Sequence, residues 1–277
     1  MNTPDDSYFP FMNDEVQLAG LVANIRKNVA DYVKQSRLKS LLLGISGGID
    51  SALCAALLRP VCDQLNIPLI GRSIAIETNG KDEIERSLLV GEAFCHNFQF
   101  MDLTDTFYEN CKNLVSLDDL LLSKMRKGNM KARMRMIILY DLAQLHQGMV
   151  ISTDNYTEYL TGFWTLHGDV GDYAPVMNLW KTEVYNVAKH LLQEYNEQQN
   201  RALQQCIDAV PVDGLGISNH DCEQLQVANY YEADQLFYQY FIEKNEELKN
   251  HPLIKRYYAS SFKRINPISI SREMLII

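Results

Sequence analysis

The stretch LLLGISGGIDSALCAALL, Leu41 to Leu58, constrains the fold more than any other part of the chain. It starts as a short apolar run, breaks at a glycine-rich hexapeptide and becomes apolar again with a different rhythm. A short apolar run bounded by glycines suits a buried strand. From Asp50 onward, Ala52, Leu53, Ala55, Ala56 and Leu57 fall at helical spacing, with Asp50 or Ser51 available to the first turn. The break is therefore a strand-to-helix turn. Such a turn offers unpaired backbone N–H groups at the positive end of a helix, and its glycines let an anion approach the backbone. Phosphate is the natural guest. The segment has neither the G-x-x-x-x-G-K-[ST] spacing nor G-x-G-x-x-G, so it belongs to neither of those phosphate-binding classes.

Further strands are expected near residues 68–76, 97–102 and 148–152, with 174–178 as a candidate fifth, beside the first at 40–46. Alternation with helical segments predicts an α/β fold, a doubly wound parallel sheet covered by helices on both faces, with ligands outside its carboxyl edge. The 277 residues, 47% hydrophobic and 22% charged, suit one core, and residues 1–277 are read as a single domain. Segments 103–130 and 192–235 are more polar, read as loops, and suit a closing lid. A net charge of -9 argues against a nucleic-acid-binding surface. No apolar run approaches the roughly 18 residues of a membrane span, and the acidic N-terminus is unlike a signal peptide, so a cytoplasmic protein is expected. The six cysteines are scattered without metal-site spacing and read as buried free thiols.

Several polar residues invite chemical readings. Asp154 and Glu158, four residues apart, follow an apolar strand. Asp50 and Glu158 form a carboxylate pair able to hold Mg²⁺ with phosphate oxygens, while a helix-capping role for Glu158 is the alternative. Lys131, Arg133 and Arg135 crowd the expected first turns of the helix KARMRMIILYDLAQLHQ, opposing its dipole; an anionic ligand would rationalise them, as would a solvated face. Phe163 and Trp164, beside a glycine-rich turn, can stack on an aromatic ligand or fill the core. Lys181 opens an amphipathic helix, where a lysine can neutralise phosphate charge. Lys263 and Arg264 lie on an expected mobile, solvent-facing tail.

The hexapeptide SGGIDS resembles the S-G-G-x-D-S pyrophosphate loop of the N-type ATP pyrophosphatases, a group with an adenine nucleotide alpha-hydrolase-like, Rossmann-like fold. Within that group, residues from Lys127 to Leu191, the segment VPVDGLGISNHDCEQLQVANYYEADQLF and the terminal SSFKRINPI are similar to NAD synthetase. The resemblance runs from about Ile25 to Pro267 in the family's order. It implies ATP binding at Gly44, Ser46, Gly47, Gly48, Asp50, Ser51, Arg72, Thr78, Thr153 and Lys181. It also implies Mg²⁺ at Asp50 and Glu158, and substrate contacts from Arg133, Arg135, Phe163, Asp169, Asp172, Lys263 and Arg264. Asp50, Lys181 and Lys263 are the implied catalytic residues. Leu166 or His167 stands where many members carry lysine, and Phe262 where many carry histidine.

The activity implied is a C–N ligase reaction. ATP adenylates the carboxylate of deamido-NAD, pyrophosphate leaves, ammonia displaces AMP, and NAD forms as the last step of its biosynthesis. The chain before Leu41 has room for a helix but not for a glutaminase domain, so free ammonia or a separate glutaminase would supply nitrogen. The family also implies a homodimer. Amidation of a different carboxylate and non-catalytic nucleotide binding are the competing readings.

Overall fold

The computed structural model describes residues 4, 6–8, 11–114, 121–211 and 221–275. Four parallel strands, β1 (Ser40–Gly44), β2 (Leu69–Ala75), β3 (Asn97–Asp102) and β4 (Gly148–Val150), form one sheet in the order β3-β2-β1-β4. The helices α1 (Glu15–Ser36), α2 (Ile49–Leu65), α3 (Lys81–Phe94), α4 (Thr104–Cys111) and α5 (Leu121–Leu145) lie around and between these strands in the chain. After β4 follow α6 (Tyr156–Thr161), α7 (Lys181–Leu191), α8 (Glu197–Asp208), α9 (Asp221–Leu225), α10 (Tyr230–Phe241), α11 (Pro252–Ala259) and α12 (Ser261–Arg264).

The period-two rule of a strand sorts β1 between two cores. Leu41 and Leu43 pack with α1, α2, α3, α7 and α8 on one face, while Leu42 packs with Ile70, Val150 and the α5 residues Met134, Met136 and Leu139 on the other. Burial on both faces explains the unbroken apolar run. A third apolar cluster joins α6, α10 and α11 around Trp180, Phe237 and Tyr156. Because β2 and β3 extend to one side of β1 and β4 pairs on the other, strand order reverses at β1 and β4. A crevice opens at the carboxyl ends of such a pair. This parallel sheet flanked by helices is the expected Rossmann-like architecture.

Several expectations are corrected. Residues 174–178 do not form a strand: Pro175 has no N–H to donate, the chain turns, and only a single parallel bridge joins Tyr173 to Ile151. The helix carrying Lys131, Arg133 and Arg135 begins at Leu121, a full two turns and more earlier, so these cations sit mid-helix and oppose no terminal dipole. Helix formers on both sides of Gly128 carry the helix through it. Much of 103–130 and 192–235 is helical, in α4, α5, α8, α9 and α10. The polarity of α8 reflects one wet face, since Ala202, Leu203 and Cys206 are buried on the other. Residues 115–120 and 212–220, within those expected loops and within the motif segment starting at Val210, lie outside the described residues.

The sheet's central position makes it the stability-determining layer. Leu43→Ala should lower the unfolding free energy by about 2–5 kcal/mol, read as a reduced midpoint with unchanged slope in urea titration.

Candidate active site

The crevice beyond β1 and β4 is lined from both sides by residues that the sequence singles out. The glycine loop is built to keep its backbone available. Gly47 takes φ 83°, and a side chain there would meet the Glu83 carbonyl. Ser46 and Ser51 hold the loop from within: Ser51 Oγ accepts from Ser46 N at 3.2 Å and donates to Gly48 O at 3.0 Å, and Gly48 N donates to Ser46 Oγ at 3.2 Å. From outside, Arg86 Nε at 3.0 Å and the Cys206 thiol at 3.4 Å donate to Gly47 O. Gly48 opens α2 without a side-chain cap, so the helix's first N–H groups remain available beside the crevice that Gly48, Ile49 and Asp50 line.

At the floor, the Lys181 ammonium lies between two carboxylates. Nζ donates to Asp50 Oδ2 and, at 3.1 Å, to Glu158 Oε1. Asn155 fixes both acids: its Nδ2 donates to Asp50 Oδ1 at 2.9 Å, and its Oδ1 accepts from Glu158 N at 3.0 Å. The Asn155 N–H reaches Glu158 Oε2 at 3.3 Å, completing a capping box at the start of α6. The capping and metal-site readings of Glu158 are thus compatible, since one oxygen caps while the other faces Lys181. Lys181 is 3% exposed and also lies 4.9 Å from the Tyr230 ring centroid. Asp234, buried beneath, accepts from Thr182 N at 3.0 Å and from the hydroxyls of Thr157 and Thr182, while Thr157 Oγ1 accepts from Lys181 N at 2.9 Å.

Burial and charge pull against each other here. Burial alone would lower Lys181, but Asp50 and Glu158 outweigh it and hold the ammonium above the ordinary lysine range. Burial pushes Glu158 up to about 8, with Lys181 opposing and Asp50 and Asp154 adding. Asp154, which accepts from Ser152 Oγ, is pushed up to about 7 by burial and then by Asp169. Asp169 accepts from Thr165 N at 2.9 Å and is likewise raised to about 7 by burial. The crevice is therefore rich in carboxyl groups that an added cation would stabilise in their ionised form.

The structure brings most of the expected residues together. Gly44, Ser46, Gly48, Asp50, Arg72, Arg135, Thr153, Glu158, Phe163, Asp169, Lys181 and Lys263 all line the crevice. Arg72 is braced on Gly71 O at 2.7 Å and Asn97 Oδ1 at 2.9 Å, and Arg135 on Ile74 O at 3.0 Å and Asn79 Oδ1 at 2.9 Å. Gly47 and Ser51 belong to the loop's frame. Others stand apart from the crevice lining. The exposed Thr78 hydroxyl accepts from Lys131 at 2.8 Å, and Arg133 Nε reaches Leu166 O at 3.2 Å. Asp172 accepts from Tyr140 Oη at 2.9 Å and Val150 N at 3.2 Å, tying the chain beside β4. Arg264 donates to Leu160 O at 2.8 Å and Ser260 Oγ at 3.0 Å, and packs 4.3 Å from the Tyr257 ring centroid. Lys263 is no solvent-facing tail: α12 docks on the end of α6, and Lys263 donates to Gly162 O at 2.7 Å and to Trp164 O.

Sequence reasoning assigned no site role to Arg86, Asn155, Asp154 or Arg256. Asn155 carried a signal, lying three residues before Glu158 where a helix cap belongs. Arg86 and Arg256 carried none, each being one cation in an ordinary amphipathic helix.

A glycine loop at the end of β1, with a lysine and two carboxylates beneath it at a strand-order reversal, defines a nucleotide-binding α/β protein equipped for phosphate chemistry. A sequence profile of the NAD synthase family matches residues 21–272. An NH(3)-dependent NAD(+) synthetase of Fusobacterium nucleatum is 30% identical over 93% of each chain. That of Thermococcus sibiricus is 34% identical over 62% of this chain and 65% of its own, just under two thirds of that relative. Among solved structures, NMN synthetase from Francisella tularensis shares the fold with a TM-score of 0.72 at 22% identity, covering 92% of this chain and 98% of that one. NH3-dependent NAD synthetase from Campylobacter jejuni, in complex with the nitrate ion, follows at 0.67 and 24%, covering 92% of this chain and 99% of that one. The chain belongs to the NAD synthase family.

The raised carboxyls set a pH dependence. Unfolded, Asp154 and Asp169 lose their protons near pH 4; folded, only near pH 7. Across that window the unfolded state binds fewer protons, so the stability of the ligand-free protein falls as pH rises. The melting temperature should drop between about pH 5 and about pH 7, and Asp154→Asn should flatten part of that drop. Parallel wild-type and variant profiles in differential scanning calorimetry would contradict this.

Proposed function

We propose that this protein is an ammonia-using NAD synthetase, and the observation that carries the reading is the Asp50, Lys181, Glu158 cluster under the SGGIDS loop. ATP is the co-substrate, its phosphates received by Gly44, Ser46, Gly47, Gly48 and Ser51 of the loop region and by the N-terminus of α2, with Arg72 and Thr153 on the adenosine side. Deamido-NAD places its nicotinate ring near Phe163, within reach of Asp169, Arg135 and Lys263, while Arg133, Asp172 and Arg264 hold the surrounding backbone at Leu166, Val150 and Leu160. A carboxylate oxygen attacks the α-phosphorus of ATP and pyrophosphate leaves with the bridging oxygen. Ammonia then attacks the carbonyl carbon of the acyl adenylate, AMP departs with one carboxylate oxygen, and a proton is released as the amide forms. Lys181 holds a positive charge beside the reacting phosphates, and Lys263 does so on the acid's side. The protein's contribution is positioning and charge, with no covalent enzyme intermediate.

The residues present fit Mg²⁺. Asp50 Oδ2 and Glu158 Oε1 both contact Lys181 Nζ, so two hard oxygen donors lie close enough together to share a cation. That is the donor set of an ion whose shell is completed by phosphate oxygens and water. Held by Asp50 and Glu158, Mg²⁺ would neutralise phosphate charge.

A second reading keeps the chemistry and shortens the acid. The Francisella tularensis protein of the same fold is named NMN synthetase, and NMN lacks the adenylyl half of NAD. An acid of mononucleotide size is therefore the competing substrate. Nitrogen enters the reaction as ammonia. The solvent-facing row on α5, where Ile137 and Leu145 are 66% and 69% exposed, supports a homodimer. Cys54, Cys62, Cys95, Cys111 and Cys206, which form no disulfide among the described residues, suit the reducing cytoplasm.

Pyrophosphate release with Mg-ATP and ammonium tests the reading. It should depend on deamido-NAD, and Asp50→Asn and Lys181→Met should each lower it by at least about a hundredfold with the fold retained. Faster release with nicotinate mononucleotide would favour the second reading, and wild-type rates in Asp50→Asn would remove that residue from the site.

A further inference from the structure

Two cations in the crevice wall form no salt bridge with a carboxylate among the described residues, although Asp169 lies near one of them. Arg256, from α11, uses Nε to donate to Thr161 O at 3.0 Å, and its guanidinium carbon lies 5.2 Å from the Phe163 ring centroid. Lys263, from α12, is held by the carbonyls of Gly162 and Trp164 and lies 5.5 Å from the Trp164 ring centroid. Both are half-buried. Burial lowers Arg256, and burial and then the charge of Arg256 lower Lys263, with Asp169 opposing them. Two like charges are gathered here; Asp169 offsets part of the charge of Lys263 and no carboxylate offsets that of Arg256, which costs stability unless an anion joins it.

The two do not have equal capacity left. Lys263 is spent on two carbonyls, Lys181 on two carboxylates, and Arg135 and Arg72 on backbone and asparagine oxygens. The terminal nitrogens of Arg256 have no acceptor among the described residues. Arg86 also keeps open terminal nitrogens, but it is braced on the glycine loop, on the phosphate side. A guanidinium edge can hold a carboxylate through one oxygen with a charge-assisted bond, and the ring beside it suits a planar aromatic acid.

We propose that Arg256 determines specificity for an acid over its amide: its open guanidinium edge pairs with the carboxylate of the aromatic substrate lying against Phe163. This rests on the amidation reading above. One oxygen is held and the other remains free to attack. Once the carboxylate is esterified to phosphorus and then amidated, its negative charge is gone and the pairing with it. The same residue therefore favours substrate binding and product release.

Binding of deamido-NAD and of NAD to wild type, Arg256→Gln and Arg256→Lys, measured by isothermal titration calorimetry, tests this. The wild type should prefer the acid, and Arg256→Gln should shrink the acid-to-amide affinity ratio by about tenfold or more, a charge-assisted hydrogen bond's worth. Arg256→Lys should keep part of the ratio, and affinity for Mg-ATP should stay within about threefold in both variants. A general loss of structure would weaken acid, amide and ATP together. An unchanged acid-to-amide ratio in Arg256→Gln overturns the proposal, as does an equal loss for all three ligands in both variants. Nicotinate and nicotinamide, followed by thermal shift, supply the same ratio independently of turnover. A collapsed nicotinate preference in Arg256→Gln beside an inactive wild type would sustain the role of Arg256 and sink the amidation reading.

Discussion

The placement of one buried ammonium between two carboxylates is what the rest of this structure serves. Lys181 could not remain charged at 3% exposure without Asp50 and Glu158. Equally, the two acids could not lie near each other without it. Removing one member of such a buried pair typically costs about 3–5 kcal/mol, because the other is left uncompensated. The arrangement therefore holds a positive charge and two hard oxygen donors ready where phosphates arrive, at little reorganisation cost when they do.

Each member comes from a different element, and each element is fixed by packing away from the site. Asp50 rides on α2, whose apolar face is sunk in the core with Leu41 and Leu43. Glu158 and Asn155 follow β4, which lies beside β1 only because the chain crosses over through α5. Lys181 opens α7, and that helix end is strapped by the N-terminal segment. Trp180 Nε1 donates to Tyr8 O at 3.0 Å, and Glu183 accepts from Met12 N at 2.9 Å and Trp180 N at 3.0 Å. Tyr8 stacks on Tyr156 at 4.2 Å, binding the same strap to α6. The polar cluster is thus tensioned between two hydrophobic cores, and Asp234 links them from below through Thr157 and Thr182.

Much of this was legible in the sequence where local chemistry and fold coincide. The apolar run of β1, the glycine loop and the helical rhythm of α2 all express themselves within Leu41 to Leu58, so the loop and Asp50 could be read directly. The Asp50 and Glu158 pairing needed β4 to neighbour β1, which follows from the rules of parallel sheets once the strands are placed. What could not be read is the result of long-range packing. Nothing local distinguishes Arg256, which lines the crevice, from Arg264, which ties α11 and α12 to the end of α6. Asp172 and Thr78 look as polar as Asp169 yet serve to fix backbone and a neighbouring lysine. Cations at 131, 133 and 135 alternate in sequence but diverge around α5 to three different partners.

On the proposed reading, the step that the crevice must perform is adenylation of a carboxylate. Deamido-NAD carrying heavy oxygen in its carboxyl group, turned over with Mg-ATP and ammonium, tests this by mass spectrometry of the products. AMP should gain one heavy oxygen while pyrophosphate gains none, because the oxygen that attacks phosphorus leaves with it. Heavy oxygen in phosphate or pyrophosphate, or unlabelled AMP accompanying NAD, would contradict it.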